Sequence, residues 1–162
     1  MLLFDKLIEK LYFKQRGNLA LYDKLTGVYN YNWMSLIGAD KYRGKELYII
    51  VIDINGFKSI NDTHGHLYGN KILQDVAQSL SKLKEIDPST DVIRYGGDEF
   101  VVVSNSNLTK VIRKSDKDDL LSIGMAIKEV GENITAAFVR ADCAMYIYKE
   151  DYKKKKKKKK RA

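Results

Sequence analysis

Cysteine and long apolar runs are almost absent from this chain of 162 residues. Cys143 is the single cysteine, so no disulfide can form within the chain, which fits the reducing interior of a cell. No apolar run is long enough to cross a bilayer, and residues 1–15 lack the features of a secretory signal peptide. We therefore expect a cytoplasmic protein without a transmembrane segment, and the sequence excludes a disulfide-stabilised secreted scaffold.

Excess positive charge is absent from most of the chain, although the formal net charge is +8. Nine of the 29 basic residues stand at positions 153–161, which leaves 20 basic against 21 acidic residues in the remainder. Only this lysine-rich tail has the charge pattern of a segment that contacts polyanions. Because the remainder predicts no basic groove, we expect nucleic acid to make only weak, non-specific and salt-sensitive contacts with the tail.

Apolar residues recur with helical or strand spacing along the first half of the chain. Residues 1–17 predict an amphipathic lead helix, which we expect to dock on its own domain or on a second copy rather than on a membrane. Residues 47–54 form a continuous apolar run, typical of a strand buried on both faces. A polar, glycine-rich stretch follows at 55–70. A helix is then predicted over 72–86, and it ends before the only proline, Pro88.

The second half of the chain predicts a hairpin, a strand and a last helix. The β-rich runs at 91–95 and 99–104 are joined by a tight turn, residues 120–127 form another strand, and residues 133–151 form the helix. The predicted order is helix, strand, helix, hairpin, strand, helix. The economical arrangement is an α+β domain whose helices pack mainly on one face of a sheet, as in a polymerase palm or a ferredoxin-like fold.

Acidic residues stand at two places where predicted strands end. Asp53 ends the buried strand, while Asp98 and Glu99 follow Gly96 and Gly97 at the tip of the predicted hairpin. Carboxylates that converge repel one another unless a cation neutralises them, and oxygen ligands suit Mg²⁺ or Mn²⁺. Two glycines permit a sharp turn and the close approach of a large substrate. Each piece alone is typical of an ordinary turn, but the combination favours metal-assisted phosphoryl transfer.

The six residues from Tyr95 to Phe100 read YGGDEF, which resembles the motif that names the GGDEF family of diguanylate cyclases. Four further segments resemble motifs of the same family, in the same order. They are DKLTGVYN at 23–30, DINGFKSINDTHGH at 53–66, SIG at 122–124 and ADCAMY at 141–146. The resemblance therefore covers residues 23–153 and rests on five motifs.

The resemblance implies the nucleotide cyclase fold of this family at residues 18–152, preceded by the lead helix at 1–17 and followed by the lysine-rich tail at 153–162. It implies a nucleotidyltransferase that condenses two molecules of GTP into the second messenger cyclic di-GMP and releases pyrophosphate. In family members each protomer binds one triphosphate and two protomers meet face to face. A homodimer is therefore expected to be needed for catalysis.

The resemblance also implies a role for individual residues. Asp53, Asp98 and the backbone carbonyl of Ile54 would hold Mg²⁺ or Mn²⁺. Glu99 would lie near the attacking 3′-hydroxyl, so the implied catalytic residues are Asp53, Asp98 and Glu99. The residues expected to bind the nucleotide, at its phosphates, its guanine edge or through close backbone approach, are Phe57, Lys58, Asn61, Asn70, Gly96, Gly97, Lys149 and Lys153.

Several positions depart from the family pattern. Asn70 replaces an aspartate that accepts guanine N–H groups, and its amide offers a donor as well as an acceptor, which leaves ATP or mixed GTP and ATP substrates open. Asn55 replaces a second aspartate, which removes one charge near the metals. Lys153 replaces a forked arginine by a point charge. Pro88 replaces the arginine that forms the family's product-inhibition site with Asp91, so we predict no feedback through that site.

The segment between Phe100 and Ser122 is shorter than is typical of the family. We expect a covering helix there to be missing or reduced to residues 108–114. Three functions stay open from the sequence alone: a diguanylate cyclase, a cyclic dinucleotide synthase with altered base preference, and a catalytically weak GTP-binding module that regulates a partner.

Overall fold

The computed structural model describes residues 21–116 and 118–159, with side chains described as far as Lys154. The lead helix predicted at 1–17 lies outside these residues. No helix in the described part of the chain is long and apolar enough to cross a membrane.

A mixed sheet of five strands forms the centre of the fold. The strands are β1 (Tyr29–Asn30), β2 (Leu47–Ile54), β3 (Asp91–Gly96), β4 (Glu99–Ser104) and β5 (Leu121–Lys128). They lie in the order β1-β3-β4-β2-β5; β1 runs parallel to β3, and the other neighbours are antiparallel. The four longer strands confirm those predicted from apolar runs, including the hairpin with its tight turn.

Both faces of the sheet are covered, so the expectation that helices pack mainly on one face is wrong. The reason lies in β2, whose side chains alternate between two separate apolar clusters. Ile49 and Val51 belong to one cluster, and Ile50 and Ile52 belong to the other. All four residues are buried, which confirms a strand covered on both faces.

The first face carries the last helix and a helical segment that the sequence did not predict. This segment comprises α1 (Tyr31–Trp33), a π-helical turn (Met34–Gly38) and α2 (Ala39–Lys41). The last helix, here numbered α6 (Ile134–Lys159), packs closely on β5 at Gly124. A Cβ atom at that glycine would lie 2.1 Å from the backbone nitrogen of Met145, so no larger residue fits the contact.

The opposite face carries α3 (Phe57–His64), α4 (His66–Ser81), a 3₁₀ turn (Lys82–Glu85) and α5 (Thr109–Ser115). The polar stretch at 55–70 is therefore mostly helical. Phe57 and Ile60 explain this, because they are three residues apart and both pack against the cluster on this face.

Two lengths along the chain bear on the site. Helix α5 is the only helix between β4 and β5 in the described part of that segment, which agrees with the expected reduced helix at 108–114. Helix α6 runs eight residues beyond the predicted end at 151, into the lysine-rich tail. No glycine or proline interrupts these residues, and lysine has a high helix propensity.

Candidate active site

Asp53 lies where β2 ends and where β4 and β5 begin. In the sheet register it stands opposite Glu99 of β4 and Ser122 of β5. The amide of the next residue, Ile54, donates to the carbonyl of Asp98 at 3.3 Å, which holds the β3–β4 turn against the end of β2. The structure therefore brings Asp53, Asp98 and Glu99 to one edge of the sheet.

The carboxylate of Asp53 is buried with one paired and one unpaired oxygen. Its Oδ2 accepts a hydrogen bond from Nζ of Lys149 at 2.5 Å, while its buried Oδ1 has no partner. Burial raises the pKa of Asp53, Lys149 lowers it, and the charge of Asp98 raises it again, with a net increase. Because a buried carboxylate oxygen without a donor is costly, Asp53 is a candidate ligand for a cation.

Glu99 faces a third acidic side chain that sequence reasoning did not assign to the site. Burial raises the pKa of Glu99, and the charges of Asp53, Asp142 and Asp98 raise it further. Asp142 lies on α6, in the segment quoted only as a family motif. Its signal in the sequence is helical spacing, since Asp142 and Lys149 are seven residues apart and share one side of a helix.

A cavity of about 510 Å³ opens at this edge of the sheet, between the strand ends and α6. Four of the predicted site residues line it, namely Asp53, Glu99, Lys149 and Lys153. Asp142 lines it as well. The cavity therefore holds acidic groups from the sheet together with one acidic and two basic groups from α6, which suits a ligand with both a cation and phosphates. Its full lining is Asp53, Glu99, Asp142, Cys143, Met145, Tyr146, Ile147, Lys149 and Lys153.

Four predicted nucleotide-binding residues lie outside that lining, on α3 and α4. Phe57 and Lys58 begin α3, three residues after Ile54, so their backbone amides belong to a helix N-terminus. Asn61 points its buried, unpartnered Oδ1 at Gly69, where a Cβ atom would lie only 1.8 Å away. Asn70 is the next residue and is half-buried. These two helices pack on the face of the sheet opposite α6, and α3 begins shortly after the end of the strand that carries Asp53.

The turn between β3 and β4 is held by Arg94, which sequence reasoning also missed. Its guanidinium donates to the carbonyl of Gly97 at 2.6 Å and 3.0 Å, and to the carboxylate of Asp23 at 3.0 Å and 3.2 Å. Asp23 in turn accepts from the amide and hydroxyl of Thr26. The first family motif is thereby joined to the turn that carries Gly96 and Asp98.

Asn55 has a structural set of partners. Its Oδ1 accepts from the hydroxyl of Ser122 at 2.6 Å, and its Nδ2 donates to the carbonyl of Asp119 at 3.2 Å. A carboxylate has no N–H group and could not make the second bond. The amide therefore ties the end of β2 to β5 and to the loop before β5.

The oxygen donors at the strand end fit Mg²⁺ or Mn²⁺, because the unpartnered Oδ1 of Asp53 is a hard, buried ligand without a competing donor. Asp98 and the carbonyl of Ile54 are the other donors proposed from the sequence. Within residues 21–116 and 118–159, no three His, Cys, Asp or Glu side chains are arranged to hold a metal ion. Backbone, water and phosphate oxygens would have to complete the coordination shell.

Comparisons with known proteins agree with this arrangement. The family model described as "Diguanylate cyclase, GGDEF domain" matches residues 20–116. The chain is 33% identical to the diguanylate cyclase VdcA of Vibrio cholerae over 100 residues, which are 59% of the chain and 28% of that protein. It is 31% identical to the cyclic di-GMP phosphodiesterase PdeR of Escherichia coli over 153 residues, 82% of the chain and 23% of that protein. The chain thus spans less than a third of either relative.

A solved structure, the GGDEF domain of DgcB from Caulobacter crescentus in complex with c-di-GMP, superposes with a TM-score of 0.70. That comparison covers 83% of this chain and 90% of the other, at 26% sequence identity. The fold, the YGGDEF turn beside the end of β2 and the family match over more than half of the chain lead to one conclusion. The chain belongs to the GGDEF domain family of diguanylate cyclases.

Proposed function

We propose that this domain is a nucleotidyltransferase that condenses two molecules of GTP into cyclic di-GMP and releases pyrophosphate. The observation that carries the proposal is the buried Asp53 carboxylate with a free oxygen, beside the turn that bears Asp98 and Glu99. Membership of a family that includes VdcA, a diguanylate cyclase, supports the same reaction. Metal, nucleotide and second copy are the three partners that it requires.

In this proposal Asp53, Asp98 and the carbonyl of Ile54 would hold a divalent cation, Mg²⁺ or Mn²⁺. Such a cation supplies neutralisation of charge on the triphosphate and on the leaving pyrophosphate. The protein's contribution is position, since the register of β2 with β4 and the Arg94 bonds to Gly97 fix the donors before substrate arrives.

Glu99 is the residue suited to accept the proton of the attacking 3′-hydroxyl. Its carboxylate lies on the cavity wall and its pKa is raised by burial and by neighbouring acids, which makes it a stronger base than an ordinary glutamate. Asp142 contributes to that increase from the opposite wall. We propose Glu99 as the base and Asp142 as a residue that tunes it.

In this proposal nucleotide binding is divided between α6 and the helices α3 and α4. Lys149 and Lys153 line the cavity and would bind phosphates through their ammonium groups, and the amides of Phe57 and Lys58 at the start of α3 are suited to phosphate oxygens. We propose that Asn61 of α3 and Asn70 of α4 bind the base, and that Gly96 and Gly97 permit close approach of the nucleotide at the turn. The described residues contain one such set of carboxylates per chain, so joining two nucleotides requires a second copy.

One alternative keeps the reaction and changes the base. Asn70 is the residue that supports this alternative, because its amide can face the donor and acceptor edge of adenine as well as the edge of guanine. A second alternative is a GTP-binding module with weak catalysis. It is favoured by the contact of Lys149 with Asp53, which occupies the carboxylate that catalysis needs.

Product analysis separates these functions. The protein is incubated with Mg²⁺ and GTP, ATP or both, and the products are identified by mass spectrometry. Cyclic di-GMP from GTP supports the cyclase, adenine-containing products support the first alternative, and bound but unconverted GTP supports the second. Asp98→Ala should abolish product, while Asp40→Ala, at an exposed aspartate paired with Arg43, should not. Turnover that persists in Asp98→Ala would contradict the proposed site.

A further inference from the structure

The contact between Lys149 and Asp53 is the one ion pair at the candidate metal site in the described residues. Lys149 reaches Asp53 from α6 across 96 positions of sequence, with its Nζ 2.5 Å from Oδ2. The two side chains are 25% and 4% exposed. The ammonium is thus the counterion of a carboxylate that is almost entirely removed from water.

This arrangement conflicts with simple addition of a divalent cation. A cation that binds the free Oδ1 would stand within a few ångströms of the ammonium on Oδ2, and like charges at that distance repel strongly away from bulk water. Losing the ammonium without replacement would leave the buried carboxylate unpaired, which is equally unfavourable. One positive group at a time therefore satisfies Asp53.

We infer that Lys149 and the divalent cation compete for Asp53, so that Lys149 holds the site closed to metal until a triphosphate offers the lysine another anion. This inference rests on the proposed function, since it takes Asp53 as the metal ligand. The lysine can leave without movement of α6, because its flexible four-carbon stem carries the charge. Metal and nucleotide then bind cooperatively, each favouring the other.

Lys153 provides a matched control. It lies one turn further along α6 and lines the same cavity, but its Nζ pairs with Glu150 at 2.7 Å. Removing Lys153 deletes the same charge without touching Asp53. A difference between the two variants therefore reports on the contact itself rather than on the general electrostatic field.

The experiment is a Mn²⁺ titration followed by the electron paramagnetic resonance signal of free Mn²⁺, first without nucleotide. Lys149→Met is expected to bind Mn²⁺ on the order of tenfold more tightly than the unmodified protein. Lys153→Met is expected to stay within about threefold, and Asp53→Asn to lose the site. Unchanged or weaker Mn²⁺ binding by Lys149→Met would overturn the inference. Lys149→Gln, which removes the charge but keeps a donor, repeats the test if the methionine variant does not fold.

A second titration adds a non-hydrolysable GTP analogue. The analogue should strengthen Mn²⁺ binding more in the unmodified protein than in Lys149→Met, because only the former must release its lysine; an equal gain in both would contradict the competition. Neither titration depends on turnover. If Lys149→Met binds Mn²⁺ more tightly but the unmodified protein makes no cyclic dinucleotide, the competition is supported and the proposed cyclase function is contradicted. Product formation with unchanged Mn²⁺ affinity would overturn the competition alone.

Discussion

Asp53, at the end of β2, and Asp91, at the start of β3, are both buried, and each contacts a lysine. They differ in the hydrogen-bond partners of their carboxylate oxygens. Oδ2 of Asp91 accepts from the hydroxyl of Tyr42 at 2.6 Å and pairs with Lys41 at 2.9 Å. Asp53 has only Lys149, and its second oxygen lies buried without a donor. The buried charge at the start of β3 thus has two partners on one oxygen and no buried oxygen without a partner, whereas the charge at the end of β2 has one partner and one buried oxygen without any.

The difference separates a structural role from a functional one. Asp91 joins the helical segment at 31–41 to the sheet, because its two partners are Lys41, which ends that segment, and Tyr42, which follows it. Asp53 leaves binding capacity unused, which a stable fold tolerates only where a ligand compensates it. The same contacts support the prediction that product does not inhibit the protein through the site that would contain Asp91. Protein groups already bind Asp91, and Pro88 carries no charge that could bind the product.

The largest effect is expected on the rate of the reaction, from a substitution of Asp53. Asp53→Asn removes the charge that would hold the cation, and we expect the rate of cyclic dinucleotide formation to fall about 100-fold or more. Initial rates at saturating Mg²⁺ and GTP measure it, with Asp40→Asn as the exposed control. A rate within about twofold of the unmodified protein would show that Asp53 is not needed.

The same exchange at the other aspartate should act on stability instead. Asp91→Asn weakens the bonds from Tyr42 and Lys41, and we expect a loss of about 2 kcal/mol in the free energy of unfolding. Urea denaturation measures it, while the rate of the folded variant should stay near normal. Loss of turnover without loss of stability would reverse the roles given to the two aspartates.

A smaller effect is expected at α3 and α4, where Asn61 also has an unpartnered oxygen. Asn70→Asp restores a charged acceptor for guanine N–H groups and should raise the preference for GTP over ATP roughly tenfold. Competition between the two nucleotides in one reaction, with products resolved by mass, measures this ratio. An unchanged ratio would remove Asn70 from the account of base preference.

The smallest effect concerns the pH dependence of stability at Glu99. Its pKa is raised in the folded protein, so its favourable contribution is full below the ordinary carboxyl pKa of about 4.3 and is lost as pH rises through the raised value. Glu99→Gln lacks this loss. In metal-free buffer its Tm should match the unmodified protein in acid and exceed it by at most a few degrees at neutral pH. A deficit that grows with pH would contradict the assigned direction.

Much of the fold could be predicted from the sequence because its strands are strongly apolar. The run at 47–54 admits one reading, whereas α3 has few apolar residues and was assigned to a polar stretch. The segment at 31–41 was missed because it joins helical and π-helical turns shorter than any periodic pattern. Because β2 is apolar on both faces, the sequence implies that both faces of the sheet are covered. Which helix packs on which face depends on contacts between residues distant in sequence.

The candidate site divides in the same way. Asp53, Asp98 and Glu99 stand in motifs with strand-end positions, so their proximity could be inferred. Arg94 lies 71 residues from its partner Asp23, and Asp142 meets Glu99 only through the packing of α6 on β5. No local sequence pattern predicts contacts between residues so far apart. The contact of Lys149 with Asp53 was equally invisible, although the lysine itself was expected to bind phosphate.

A crystal structure with Mn²⁺ and a non-hydrolysable GTP analogue, read by anomalous scattering from manganese, tests directly whether Asp53 is a metal ligand. We expect a manganese peak bound by Asp53 and Asp98, with the triphosphate between the peak and Lys149. Manganese absent from Asp53 while the analogue is bound elsewhere on the domain would contradict this expectation.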